Sequence, residues 1–456
     1  MAYIAFQRLG FYNYLELRQH SRARNVNGDN LERQFLSMTV NTRATEATTT
    51  AEPLDVLALY RTMVTARVMN DLLKVRKTQG KFPFYIGCAG HESMAAVTVA
   101  LKPDDWMSLY YRDLAAWLQR TGDITGPLRE AYSRTSGPMA AGRNMPSHYS
   151  SKQQRILPTF SEVGGLAPFA GGLAFALQRE KRSEIILFTT GDGGAATNDF
   201  NALFRQAAVH QLPILMVVED NGWAITAAST IQWGGSLVEW ARGGGVYAEE
   251  IDGTDAIATY QASARLVEHI RSGKGPVLMH LRLGLLDPHS SSTDIKSYRT
   301  KEEIEATSAT KDPVKNFGRW LIEQGYLQEG DSERMRKEIR AELERAENIV
   351  LQESEPTAER VMQHIVNVPA WVENTPRGTK RQLPMLGAIN EALVELAKRD
   401  ENFFVYGQDV GSPKGGVFGA TAHLVTQFPG RAISSPLNEQ VLSLIHISEP
   451  TRQAEI

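Results

Sequence analysis

Apolar positions fall into two periods along the chain. From Pro53 onward Leu54, Leu57, Met63 and Val64 recur near a 3.6-residue spacing, which predicts a helix. Further on, Glu184–Thr190 contains the unbroken run Ile185-Ile186-Leu187-Phe188, and Pro213–Val218 contains Ile214-Leu215-Met216-Val217-Val218. Both read as buried strands. Between them Phe200, Leu203, Phe204, Ala207 and Ala208 share one helical face. Strand, helix and strand at this spacing predict a βαβ unit with parallel strands. Pro276–Leu281 predicts another strand. Residues 300–350 turn charged and helical, as in Arg334-Met335-Arg336-Lys337-Glu338-Ile339. A second α/β start follows: a helix over Met385–Ala397, a strand over Phe403–Tyr406 and a Gly-rich loop from Gly407 to Gly419.

Five segments result. Residues 1–52, ending in a Thr-rich tract, read as a mobile arm. Residues 53–350 form the first α/β domain. Residues 351–382, with Pro356, Pro369 and Pro376, read as a linker. Residues 383–440 begin a second α/β domain, and residues 441–456 form a tail.

Composition narrows the class. Hydrophobic residues at 42% and charged residues at 22% predict a folded core in a soluble chain. A net charge of -3 gives no footprint for nucleic acid. Cys88 is the one cysteine, so no disulfide can close within the chain, which fits a reducing compartment. No apolar run reaches the ~18 residues of a membrane span. The expected location is the cytoplasm, with the mitochondrial matrix as the alternative, because residues 1–50 hold Arg but no Lys.

The chemistry sits at the two strand ends. The first ends in Gly191-Asp192-Gly193-Gly194 and the second in Glu219-Asp220-Asn221-Gly222-Trp223. A right-handed parallel crossover puts both ends on the carboxyl edge of the sheet, where such sheets bind ligands. Asp192 and Asn221 then reach one spot, and a carboxylate with an amide oxygen suits Mg²⁺. Gly193 and Gly194 let a diphosphate approach the backbone at the start of a helix. A competing reading uses the same residues. Gly191-Asp192-Gly193-Gly194-Ala195-Ala196 fits a relaxed dinucleotide fingerprint, with Glu219 placed to meet a ribose. Spacing does not separate the two.

Gly191-Asp192-Gly193, the helix and strand, and Asp220-Asn221 resemble the thiamine-diphosphate motif. Gly90-His91-Glu92, Tyr110-Tyr111-Arg112-Asp113, and Pro288-His289-Ser290-Ser291 with Tyr298-Arg299 resemble the alpha chain of 2-oxo-acid dehydrogenase first components, in the family's order. Residues 383–440 resemble the start of the family's beta chain, so alpha and beta parts are fused. The implied fold is the thiamine-diphosphate-binding α/β fold, a mostly parallel sheet flanked by helices, followed by a shortened second α/β domain.

The resemblance implies Mg²⁺ bound by Asp192, Asn221 and the carbonyl of Trp223. It implies Tyr111 and Arg112 on the diphosphate of thiamine diphosphate; an arginine fork suits phosphate oxygens, whereas unaided reading pairs Arg112 with Asp113. Backbone around Ser161 and Val163 would cradle the aminopyrimidine. His289, on a mobile loop beside the diphosphate, would serve acyl transfer to the lipoyl domain of an E2 acyltransferase. Glu439, in Ser435-Pro436-Leu437-Asn438-Glu439, would be the catalytic glutamate at the pyrimidine. Gln408 departs from the family's usual Glu, which weakens any proton relay there. The implied reaction is oxidative decarboxylation of a 2-oxo acid, branched-chain rather than pyruvate from the Pro-His-Ser-Ser loop, by a dimer of fused chains. The rivals are an acetoin dehydrogenase or transketolase-like enzyme, and a non-catalytic fragment that binds cofactor or partner subunits. Leu442–Arg452 resembles a translated sequencing-library adapter, so an artefactual tail and a longer natural protein are expected.

Overall fold

The computed structural model describes residues 54–363, 382–416 and 418–437. The expected arm over residues 1–52, much of the linker, Glu439 and the tail lie outside the described residues.

The first helix, α1 (Val56–Thr78), starts where the Asp55 carboxylate accepts from the Leu57 and Ala58 amides. Its buried stripe runs through Leu59, Tyr60, Met63 and Val64. Leu57, expected on that stripe, lies off it and is exposed. The strands that follow are β1 (Trp106–Ser108), β2 (Ile156–Leu157), β3 (Ile186–Gly191) and β4 (Ile214–Asp220). After a small hairpin, β5 (Trp223–Ala224) with β6 (Ala227–Ala228), come β7 (Tyr247–Asp252) and β8 (Val277–Arg282). Six of them form one sheet in the order β2-β1-β3-β4-β8-β7. Every pairing in it is parallel.

The central strands β3 and β4 are buried along their whole length. That is why they read as continuous apolar runs rather than alternating ones. Edge strand β7 carries Glu249, Glu250 and Asp252 and is only partly covered, so no apolar run announces it. Helix α2 (Ala167–Arg179) and helix α3 (Asn198–His210) pack together over this sheet. Thr197 caps α3 by accepting from the Phe200 amide, and Phe200, Leu203, Phe204 and Ala207 enter the core.

Helix α4 (Asp331–Val350) lies against α1. The chain stays anchored beyond it. Glu353 pairs with Arg129, Glu355 pairs with Arg134, and the Ser354 carbonyl accepts from the Thr135 amide. Residues read from sequence as the start of a linker are thus fastened to the first domain. Helix α5 (Met385–Arg399), β9 (Val405–Gly407) and β10 (Ala432–Ser434) make a smaller unit with its own parallel pair. It meets α2 and α3 through Tyr406, whose ring is 4.9 Å from Phe175 and whose hydroxyl is 3.1 Å from His210 Nε2.

Candidate active site

The register between β3 and β4 sets Gly191 opposite Glu219. Asp192 and Asn221 therefore leave neighbouring strands at the same edge. Asp192 opens a single helical turn, Asp192–Ala195, after an extended Gly191. Its side chain is buried, and among the described residues Oδ2 has no hydrogen-bond partner. Burial, followed by the nearby Asp220 carboxylate, pushes its pKa up to about 6. Asp220 differs. Burial alone would raise it, but His280 Nε2 at 2.9 Å and the Arg282 guanidinium outweigh burial and hold it below the ordinary range. Of the two aspartates, only Asp192 has an oxygen to spare.

Asn221 turns into Gly222, whose φ of +90° suits glycine. The Asn221 Oδ1 accepts from the Trp223 amide at 3.1 Å. Among the described residues no cluster of three or more His, Cys, Asp or Glu is placed to hold a metal. A metal here would rest on one carboxylate with amide and carbonyl oxygens. That set suits a hard cation that keeps water or phosphate oxygens in its shell. The orphaned Asp192 Oδ2 fits such an ion.

The glycines have a packing reason as well. A Cβ on Gly193 would come within 2.8 Å of Ala224 Cβ, and one on Gly194 within 2.0 Å of Thr190 Oγ1. The loop holding Ser161 and Val163 closes on the same turn, since a Cβ on Gly164 would sit 2.2 Å from Thr197 Oγ1. Val163 and Ser161 are themselves exposed, and Ser161 Oγ donates to or accepts from His148 Nε2 at 2.7 Å.

Arg112 is 2% exposed and all three of its guanidinium nitrogens are engaged. Nε donates to the Tyr110 hydroxyl at 3.1 Å, and Nη1 to the Gly87 carbonyl at 2.6 Å. Nη2 reaches the His289 carbonyl at 2.9 Å and His289 Nδ1 at 3.1 Å. It does not pair with Asp113, which instead accepts from the Tyr110 amide and Thr189 Oγ1. Tyr111 completes the group, its ring centroid 6.2 Å from that of His289.

Burial and then Arg112 lower the His289 pKa to about 4, so the imidazole is neutral at pH 7. Arg112 can only donate, so Nδ1 is the acceptor and Nε2 carries the proton. The loop expected to be mobile is tied at both flanks of His289. Asn70 donates to Asp287 at 2.8 Å, and Ser291 exchanges hydrogen bonds with the backbone of Tyr85. The Trp223 ring lies 5.2 Å from Tyr298, which brings the β4 loop beside the His289 loop. Tyr111, Arg112 and His289 thus gather at one place; Glu439 lies outside the described residues.

One constellation went unread in the sequence. His91, Glu219 and Asp113 are all fully buried. His91 Nδ1 is 2.7 Å from Glu219 Oε2, and His91 Nε2 is 3.0 Å from Asn221 Nδ2. Glu219 and Asp113 are neighbouring carboxyl groups that raise or lower each other's proton affinity. Burial and then the neighbouring Asp113 push the Glu219 carboxyl well above its ordinary pKa. A Glu219 held this way is not available to a ribose hydroxyl, which removes the support for the dinucleotide reading. The available signal was the His-Glu pair after Gly90. Its two members serve different networks, since Glu92 takes Arg67 at 2.6 Å.

Comparison with known proteins gives two matches in order. Residues 60–359 match the family Dehydrogenase E1 component, and residues 381–446 match Transketolase, pyrimidine binding domain. The 2-oxoisovalerate dehydrogenase subunit alpha of Bacillus subtilis (strain 168) is 33% identical over 287 residues, covering 62% of this chain and 86% of that protein. The pyruvate dehydrogenase E1 component subunit alpha of Acholeplasma laidlawii is 31% identical over 290 residues, covering 63% and 81%. The mitochondrial 2-oxoisovalerate dehydrogenase subunit alpha 1 of Arabidopsis thaliana is 29% identical over 287 residues, and the match spans 61% of its length.

Proposed function

The chain belongs to the dehydrogenase E1 component family, and from that premise we propose that it decarboxylates a 2-oxo acid and passes the acyl group to the lipoyl domain of an E2 acyltransferase. Thiamine diphosphate, the cofactor of this family, supplies when bound an electron sink for the pair released with CO₂. The protein's part is binding, orientation and proton placement.

Asp192, Asn221 and the Trp223 carbonyl would hold Mg²⁺ against the diphosphate. The observation that carries this is the buried Asp192 Oδ2, without a partner among the described residues and at the same sheet edge as Asn221. Arg112 adds a fixed positive charge that acts on Asp192, and Tyr111, packed beside Arg112 and His289, would line the diphosphate. Gly193 and Gly194 allow the turn its close approach, and the segment with Ser161 and Val163 lies next to it. His289 presents a neutral ring with its proton on Nε2, suited to act on an acyl group arriving at the loop. Glu439 is the group we assign to the pyrimidine ring.

A branched-chain substrate is favoured over pyruvate by the Pro288-His289-Ser290-Ser291 loop. Two of the three relatives described above are named for 2-oxoisovalerate. The pyrimidine-binding match in the same chain supports fused alpha and beta parts, and such chains would pair as a homodimer.

Two measurements test the reading. Calorimetry should detect thiamine diphosphate only with Mg²⁺ present, and no binding of NAD. Reduction of a lipoyl domain, assayed with branched-chain 2-oxo acids, pyruvate and acetoin, should be fastest with the first. Binding of NAD in place of thiamine diphosphate would overturn the proposal. Binding without turnover of any 2-oxo acid would reduce this chain to a cofactor-binding fragment.

A further inference from the structure

The hydrogen bonds around Asn221 have one consistent set of directions. The Trp223 amide can only donate, so the atom facing it is the Asn221 oxygen. The other end of the Asn221 amide can only donate as well, so His91 Nε2 must accept. His91 Nδ1 then carries the ring proton and donates to Glu219 Oε2. Among the described residues Glu219 Oε1 and Asp113 Oδ1 are both buried without a hydrogen-bond partner, and the two neighbouring carboxyl groups influence each other. Asp113 Oδ2 is fixed in turn by the Tyr110 amide and Thr189 Oγ1, at the start of the β1–α segment and on β3. From the Trp223 amide through Asn221 and His91 to Glu219, every donor meets an acceptor.

We propose that His91 is a positioning residue that fixes the polarity of the Asn221 amide, holding its nitrogen away from the cation site and its oxygen toward it. This rests on the Mg²⁺ assignment made above. An asparagine amide is nearly symmetric in shape, so packing alone selects its two orientations weakly. Only the oxygen face binds a cation; the NH₂ face repels it. Trp223 restrains one end of the group and His91 the other. His91 touches neither the cation nor the substrate and acts wholly through Asn221.

The test uses the full chain and reads Mg²⁺-dependent thiamine diphosphate binding by calorimetry, with thermal unfolding of the apo forms as the check on folding. His91→Leu removes the acceptor and should raise the Mg²⁺ concentration for half-binding by about tenfold or more, the equivalent of losing one hydrogen bond. His91→Gln keeps an oxygen for Asn221 Nδ2 and a donor for Glu219, and should return to within about threefold of wild type. Asn221→Asp presents oxygen at both ends and has no polarity to set. In that background His91→Leu should cost less than about threefold.

An equal loss from His91→Leu in both backgrounds would overturn the proposal by revealing a general packing role. So would a folded His91→Gln that needs much more Mg²⁺ than wild type, and this arm decides the matter even if His91→Leu does not fold. Wild type that binds thiamine diphosphate without Mg²⁺, or not at all, would instead sink the cation site itself.

Discussion

Replacing Asp192 by Asn should stabilise the empty protein while abolishing its use of Mg²⁺. The carboxyl of Asp192 sits at about 6 against an ordinary 3.8, mainly through burial. Holding it ionised costs about 3 kcal/mol at alkaline pH, at about 1.4 kcal/mol per tenfold shift in the proton equilibrium. Because its folded pKa lies above its unfolded one, its contribution to stability is complete below about pH 4 and is lost as the pH rises through about 6. The substituted side chain never ionises, though its amide remains partly unpaired. A net gain of about 1–3 kcal/mol is therefore expected near pH 8, or a rise of roughly 2–6 °C in Tm.

The gain should fall by about half near pH 5 and vanish only below about pH 4, where the unfolded carboxyl is protonated as well. Added Mg²⁺ and thiamine diphosphate should reverse the ranking, since ligand at about 100 times Kd stabilises wild type by about 2.7 kcal/mol and the variant gains nothing. Differential scanning fluorimetry at both pH values, with and without ligand, reads all of this. An Asp192→Asn protein that melts below wild type at pH 8, or a gap that does not change with pH, would refute the reasoning.

Three other outcomes follow from the same geometry. Arg112→Lys loses the planar fork that reaches Tyr110, Gly87 and His289 together; urea unfolding should show a loss of about 3 kcal/mol. Gly90→Ala meets both a φ of +100° and the Gly284 carbonyl at 1.9 Å, so it should destabilise by about 3 kcal/mol or more, read as a lower urea midpoint. His289→Ala should leave thiamine diphosphate affinity within about threefold but slow lipoyl-domain reduction by about a hundredfold, with dye-coupled decarboxylation as the reference.

Much of the fold could be read from sequence because the two central strands are apolar throughout and α3 between them is cleanly one-sided. Burial on both faces leaves a strong signal, whereas β7 at the sheet edge leaves almost none. Leu57 shows that an approximate period does not fix the phase of a helix; tertiary contacts chose Leu59 and Tyr60 instead. The placing of Asp192 and Asn221 after neighbouring strands at one sheet edge followed from parallel topology alone. Tyr111, Arg112 and His289 came from resemblance, and their contact with one another was not legible, since 177 positions separate Arg112 from His289. The line from Asp113 through Glu219 and His91 to Asn221 joins three distant segments, and no local spacing could announce it. Glu219 also showed how an acidic residue at a strand end supports two readings until its partners are known.

The central claim is that Asp192 and Asn221 share one divalent ion. Crystals grown with thiamine diphosphate and Mn²⁺, an anomalous stand-in for Mg²⁺, test it most directly. A single anomalous peak about 2.0–2.3 Å from an Asp192 carboxylate oxygen and from Asn221 Oδ1, with the diphosphate against it, is the expected result. Cofactor bound with the manganese peak elsewhere, or with Asn221 turning its nitrogen toward the ion, would contradict the account.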